Sequence, residues 1–198
     1  MKNIVSGFPI ETFGNDNVYK QKDLCNITLA IFFIGFLISP LPVWADVGSH
    51  DFQLTSTAFE DNGDIPKKYT CYGGDINPPL TFKNVPDKTK SLALTVSDPD
   101  APEGTWSHWI IYNISPKTTE IIENTKPGTE GLNDFGKYAY GGPCPPDEKL
   151  HHYIFRLYAL NTILNINEGP SLTEVEKAVK GHIIARTKLV GTYQKLPF

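Results

Sequence analysis

Two short proline-stiffened segments carry most of the residues in this 198-residue chain whose types suit chemistry. The first is Asp98-Pro99-Asp100-Ala101-Pro102, followed closely by Trp106 and His108. The second is Gly142-Pro143-Cys144-Pro145-Pro146, followed by His151, His152 and Tyr153. Carboxylates and imidazoles in this pattern can bind a small polar ligand, hold a metal or move a proton. Side chains two apart on an extended strand share a face, so His151 and Tyr153 point together while His152 points the other way. Proline fixes φ and limits loop motion, and Gly141 and Gly142 let backbone come close to a bound group, so the two turns suit a largely preformed cleft. Asp98, Asp100, His108, His151 and Tyr153 are the candidate pocket residues.

Other chemistry is less well served. His108, His151, Asp98 and Cys144 are acceptable zinc ligands, but no short paired spacing joins them, and no metal is expected. A hydrolase could use His108 or His151 as base with Asp98 orienting it. No Gly-x-Ser-x-Gly elbow supplies its nucleophile, and Ser107 alternates to the face opposite His108 on an extended strand. Binding without catalysis and without a cofactor is the expectation, with hydrolysis as the alternative. Two carboxylates beside an anion would repel it unless cations pair with them. A hydrogen bond from one nitrogen of His108 or His151 to Asp98 or Asp100 favours the imidazolium and leaves its second N–H for the ligand. An anion held in such a pocket should then bind more tightly as pH falls toward 6. Either aspartate could instead simply cap its turn through backbone N–H groups.

The elements that must position these residues read as short strands. In Ser91–Ser97, Leu92, Leu94 and Val96 share one face, and the pairing stops at Asp98-Pro99, where proline removes a donor. Trp106–Ile114 and His151–Leu160 are apolar at nearly every residue, as central strands covered on both faces are. Phe52–Phe59 and Leu189–Tyr193 read as further strands. Ser171-Leu-Thr-Glu174 spells a capping box, and Leu172, Val175, Val179 and Ile183 follow at helical spacing, which predicts a helix over about 172–185. Lys117–Lys149 has no sustained period and reads as a long surface excursion of the kind that lines functional sites. With 16 Gly, 16 Pro and one Met, a mostly β fold is expected. The net charge of −4, without a basic stripe, argues against nucleic acid as a partner.

The apolar run Ile27–Ile38, preceded by Lys20 and Lys22 and followed by Val43-Trp44-Ala45, reads as a secretory signal cleaved after Ala45. An uncleaved membrane anchor over Leu24–Val43 is the alternative. Residues 46–198 then form one exported domain, periplasmic or secreted. That domain keeps Cys71 and Cys144. A disulfide between them and two buried free thiols are both compatible with the sequence.

Asp98-Pro-Asp-Ala-Pro102 with Trp106-Ser-His-Trp109, then Gly142-Pro-Cys-Pro-Pro146 and His151-x-Tyr153 with Leu157-Tyr-Ala-Leu160, resembles the two signature regions of the phosphatidylethanolamine-binding, or Raf kinase inhibitor-like, family. Phe52-x-Leu-x-Ser-x-Ala-Phe59, Ile65–Cys71, Asn77-Pro-Pro-Leu80, Gly181-His182 and Gly191-Thr-Tyr193 are similar to its bacterial branch, so the resemblance covers nearly all of residues 50–195. It implies a central antiparallel sheet packed against a smaller sheet, with one or two peripheral or C-terminal helices. It also implies a small pocket for phosphate, acetate or a phospholipid headgroup. By resemblance Asp98, Asp100, His108 and His151 line that pocket, Trp106 and Tyr153 supply walls, and Gly142-Pro143 forms its lip. The resemblance also implies an alternative function ahead of hydrolysis, inhibition of a protease or kinase through a protein interface, and peripheral membrane contact is a further open partner class. The sequence departs from the family pattern at Tyr72, where Asp is usual, at Phe82, where Trp is common, and at His152, where Arg is usual.

Overall fold

The computed structural model describes residues 51–195, so the leader expected over residues 1–45 lies outside the described residues. Nine strands and one helix follow in order: β1 (Gln53–Thr55), β2 (Gly63–Asp64), β3 (Leu80–Lys83), β4 (Ser91–Asp98), β5 (Trp106–Ile114), β6 (Glu120–Ile121), β7 (Thr129–Glu130), β8 (Leu150–Leu160), α1 (Leu172–Val179) and β9 (Ile183–Gln194). A 3-10 turn at Lys67–Tyr69 precedes β3. The larger sheet has the order β2-β9-β8-β4-β5-β7 and the smaller the order β1-β3-β6. Every pairing is antiparallel except that of β2 with β9. The fold is the mostly β, two-sheet architecture that the sequence suggested.

Alternation along the strands sorts their side chains into two cores. Leu92, Leu94 and Val96 of β4 and Tyr153, Phe155, Leu157 and Ala159 of β8 face the small sheet, where Leu54, Leu80, Phe82 and Ile121 complete the layer. Ala93, Ile110, Tyr112, Tyr158 and Leu160 face the other way and pack under Val175 and Val179 of the helix. All eight residues of β4 are therefore buried, although the sequence marked only one of its faces. Each large apolar side chain so covered contributes on the order of 1.5–3 kcal/mol.

Three expected elements differ in extent. The helix is capped as the sequence spells it, with Ser171 and Glu174 exchanging both bonds of the box, but it ends at Val179. Lys180 is extended and Gly181 has a φ of +87°, so the chain reverses there. Ile183, assigned by its spacing to the helix, instead opens β9 opposite Leu160, and β9 starts well before Leu189. The strand expected over Phe52–Phe59 is confined to Gln53–Thr55. Among the described residues no helix is long and apolar enough to cross a membrane.

Candidate functional site

The site caps one end of the main core layer, and strand alternation brings it there. Asp98 lies two residues beyond Val96 on β4, and His151 lies two before Tyr153 on β8, so both continue the face that carries the core. Trp106 is paired directly with Asp98 across β4 and β5. His108 arrives by a different route. Val96 pairs with Trp109 but Ser97 pairs with Ser107, which leaves His108 as the extra residue of a β-bulge. The bulge lets two sequence neighbours face the same layer: Trp109 packs on Tyr140 at 5.5 Å between ring centroids, and His108 meets Tyr153 edge-on at 5.1 Å.

The cleft in front of these groups has a volume of about 370 Å³. Asp98, Trp106 and His108 line it together with Pro102, Phe135 and Pro146. His151 and Tyr153, 1 % and 0 % exposed, form the layer behind it. At Gly142 the close approach is to protein backbone. A Cβ there would stand 2.4 Å from the Tyr69 carbonyl oxygen, so its missing side chain lets the lip pack on the Tyr69–Thr70 backbone. Its N–H is donated to Asp75 (2.7 Å), and the Pro143 carbonyl accepts from the Cys71 N–H (3.1 Å). A Cys71–Cys144 disulfide, with Cα atoms 5.4 Å apart, ties the same two segments and resolves the two alternatives left by the sequence.

Of the histidine–carboxylate bonds that the sequence allowed, the structure makes the one between His151 and Asp98, and it gives the second ring nitrogen a carboxylate as well. His151 Nδ1 lies 2.7 Å from Asp98 Oδ2, and its Nε2 lies 3.2 Å from Asp147 Oδ1. Carboxylate oxygens only accept, so both ring nitrogens must donate and the ring is an imidazolium. Burial works against that charge, but the hydrogen bond and the charge of Asp98, then those of Asp147, outweigh it and raise the His151 pKa above its ordinary 6.5. His108 pairs with no carboxylate. Its Nδ1 donates to the Gly141 carbonyl at 2.7 Å. Burial dominates there, against smaller help from that carbonyl and from Asp98, and lowers the pKa. His108 is thus the neutral member, with an Nε2 lone pair.

Asp100 is not a pocket group. Its Oδ2 accepts from the backbone N–H of His152 (2.9 Å) and from His152 Nδ1 (2.7 Å) on the outward face of β8. Partial burial would raise its pKa, but the bonds from His152 more than offset this and lower it. His152 therefore keeps a structural pair of its own where the family usually has Arg. Asp98 caps the turn as well as pairing with His151, since its Oδ1 accepts the Asp100 N–H at 2.8 Å. Tyr72, at the other departure, donates to the Pro145 carbonyl (3.1 Å) and stacks on Tyr193, which buttresses the second turn from behind. Phe82 is a buried core residue.

A family model for the phosphatidylethanolamine-binding protein matches residues 55–194. The chain belongs to that family. A UPF0098 protein of Methanothermobacter thermautotrophicus is 45% identical over 150 residues, covering 72% of this chain and 99% of that protein. One from Chlamydia trachomatis is 47% identical over 149 residues, again covering 72% and 99%. Among solved structures, a phosphatidylethanolamine-binding protein homologue from Chlamydia trachomatis has a TM-score of 0.71 at 45% identity, over 74% of this chain and 99% of that one. Escherichia coli YbcL has a TM-score of 0.69 at 33% identity, with the same coverage.

Within this phosphatidylethanolamine-binding fold, three contributors to the site escaped the sequence reading. Asp147 follows the second proline turn and completes the His151 pair; the bend over residues 146–149 brings it there, and its spacing from His151 gave no signal. Phe135 packs edge-on against both Trp106 (5.6 Å) and His108 (5.2 Å). Asn133, 2 % exposed, organises that loop: its amide donates to the carbonyls of His108 and Ala139, and its oxygen accepts from the N–H groups of Phe135 and Lys137. Nothing in the surrounding sequence distinguishes Asn133 from the other turn-forming residues of the excursion. Among the described residues no group of three or more His, Cys, Asp or Glu side chains is gathered as a metal site.

Proposed function

We propose that the chain is a binding protein for a phosphate-bearing small ligand, inorganic phosphate or a phosphoethanolamine-type headgroup, and that it performs no chemistry on it. The observation that carries this reading is the His151 imidazolium held behind a preformed cleft by a buried carboxylate partner. A fixed cation at the back of a rigid cleft is what an anionic headgroup needs. Glu103, Trp106 and Phe135 line the same cleft, so an ammonium group can sit among a carboxylate and two aromatic rings while the phosphate meets the histidine. Hydrolysis fits less well, because His151 carries its proton toward two carboxylates, and His108, the neutral ring, is oriented by the Gly141 carbonyl rather than by a carboxylate as a triad base is.

The test is titration calorimetry with phosphate, phosphoethanolamine and ethanolamine on the natural chain and on His151→Ala. Phosphoethanolamine should bind most tightly, and the variant should lose both phosphate-bearing ligands. Binding that survives in the variant would discard the reading. We further infer that the domain is exported, which the Cys71–Cys144 disulfide supports, since such bonds persist in oxidising compartments.

A further inference from the structure

The two carboxylates on His151 are held very differently. Asp98 is 3 % exposed, is fixed at the end of β4 and is pinned a second time by the Asp100 N–H. Asp147 lies on the bend between Pro146 and Lys149, its side chain 35% exposed. Its Oδ1 accepts a local bond from the Lys149 N–H at 2.9 Å, and its bond from His151 is the longer of the imidazole's two. The bend is also held by Gln194, whose Nε2 donates to the Glu148 carbonyl at 2.7 Å, and Asp147 Oδ2 lies 3.8 Å from the exposed Lys149 ammonium. Pro146, immediately before Asp147, lines the cleft. The inner carboxylate is buried with both oxygens hydrogen-bonded, and the outer one is partly exposed and hydrogen-bonded through Oδ1.

We propose that Asp147 is an internal ligand of the pocket: its carboxylate occupies the His151 Nε2–H that an incoming anion must take, and it thereby selects phosphoryl groups over carboxylates. The proposal rests on the anion-pocket reading above and adds a gate to it. Entry of an anion exchanges one acceptor for another at Nε2, so the number of hydrogen bonds does not change. Acetate offers the same group that Asp147 already supplies, and Asp147 supplies it from a short tether at an effective concentration in the millimolar range or above. Free carboxylates must beat that concentration with no chemical advantage. A phosphate monoester brings more charge and three acceptor oxygens, so it can displace the aspartate and still bond to other donors at the cleft.

Calorimetry at a fixed pH of about 6, where His151 is protonated, tests this with inorganic phosphate and acetate on the natural chain, Asp147→Ala and Asp147→Ser. Serine keeps an acceptor for the Lys149 N–H but is too short to reach His151, so it separates a gate from a mere turn support. Both variants should bind acetate roughly tenfold or more tightly than the natural chain, with a smaller gain for phosphate, so that the preference for phosphate shrinks. Unchanged or weaker acetate binding in both variants, or natural behaviour restored by serine, would overturn the gate while leaving the pocket standing. Absence of phosphate binding in all three proteins would overturn the pocket itself and the gate with it.

Discussion

His151 Nδ1 and Asp98 Oδ2 stand 2.7 Å apart in a place that water scarcely reaches, the two side chains being 1% and 4% exposed. Removing Asp98 leaves the buried imidazolium with only the longer bond to the partly exposed Asp147. Asp98→Ala should therefore destabilise the domain by about 3 kcal/mol or more in urea unfolding. Asp98→Asn keeps the shape and an acceptor but removes the charge. It should fold with a smaller loss of about 1–2 kcal/mol, and it should lower the His151 pKa. Imidazole NMR titration reads that shift directly.

The two pocket histidines should respond to pH in opposite directions. His151 has a raised pKa, so its contribution to stability is fully present below the unfolded value near 6.5 and is lost as pH rises through the higher folded value. His108 has a lowered pKa, so its contribution is present above about 6.5 and is lost as pH falls through the depressed folded value. Asparagine can mimic the Nδ1 donor at either site, toward Asp98 or toward the Gly141 carbonyl. His151→Asn should flatten the alkaline limb of the stability profile and His108→Asn the acidic limb. Urea unfolding from pH 5 to pH 9 distinguishes them, and a shared effect on one limb would refute the assignment.

Much of this site could be read from residue order. Alternation alone put His151 and Tyr153 on one face and His152 on the other, and proline at position 99 marked where β4 stops. The partner of each histidine could not be read that way. His108 reaches the site through a bulge whose only trace is a register shift between β4 and β5, a property of two strands together. Asp100 and Asp98 are equivalent by spacing from the turn, yet one finds His152 outside and the other His151 inside, because the turn at Pro99 rotates them apart. The helix end misled for a related reason. Ile183 continues the apolar period, but Gly181 reverses the chain before the period can matter.

The disulfide should be a large part of what keeps the second proline turn in place. It links segments 73 residues apart in sequence, and closing a loop of that length in the unfolded chain is worth on the order of 4 kcal/mol in the chain-entropy model. Cys144→Ser should lower the urea midpoint accordingly. Because Cys144 also lines the cleft, phosphate binding should weaken in the folded variant by more than thermal destabilisation alone would give. Calorimetry well below the melting temperature separates the two effects.

Asn133 offers the sharpest test of how the excursion from β5 to β8 builds one wall of the cleft. Its side chain substitutes for regular structure, satisfying two backbone carbonyls and two backbone N–H groups that belong to different turns of the loop. One carbonyl is that of His108, so the same amide ties the loop to the bulge. Asn133→Ala would orphan groups that are partly or wholly shielded from water, at about 1–3 kcal/mol for each that finds no replacement. Aspartate keeps the accepting oxygen but cannot donate to the carbonyls, so Asn133→Asp should rescue little. Phe135 is the reporter: it follows Asn133 by two residues and rests on Trp106 and His108. With the loop released, that stacking should loosen, and Trp106 fluorescence should shift to the red in the folded variant. If both variants melt within a degree of the natural chain with unchanged emission, the loop is held by something other than Asn133.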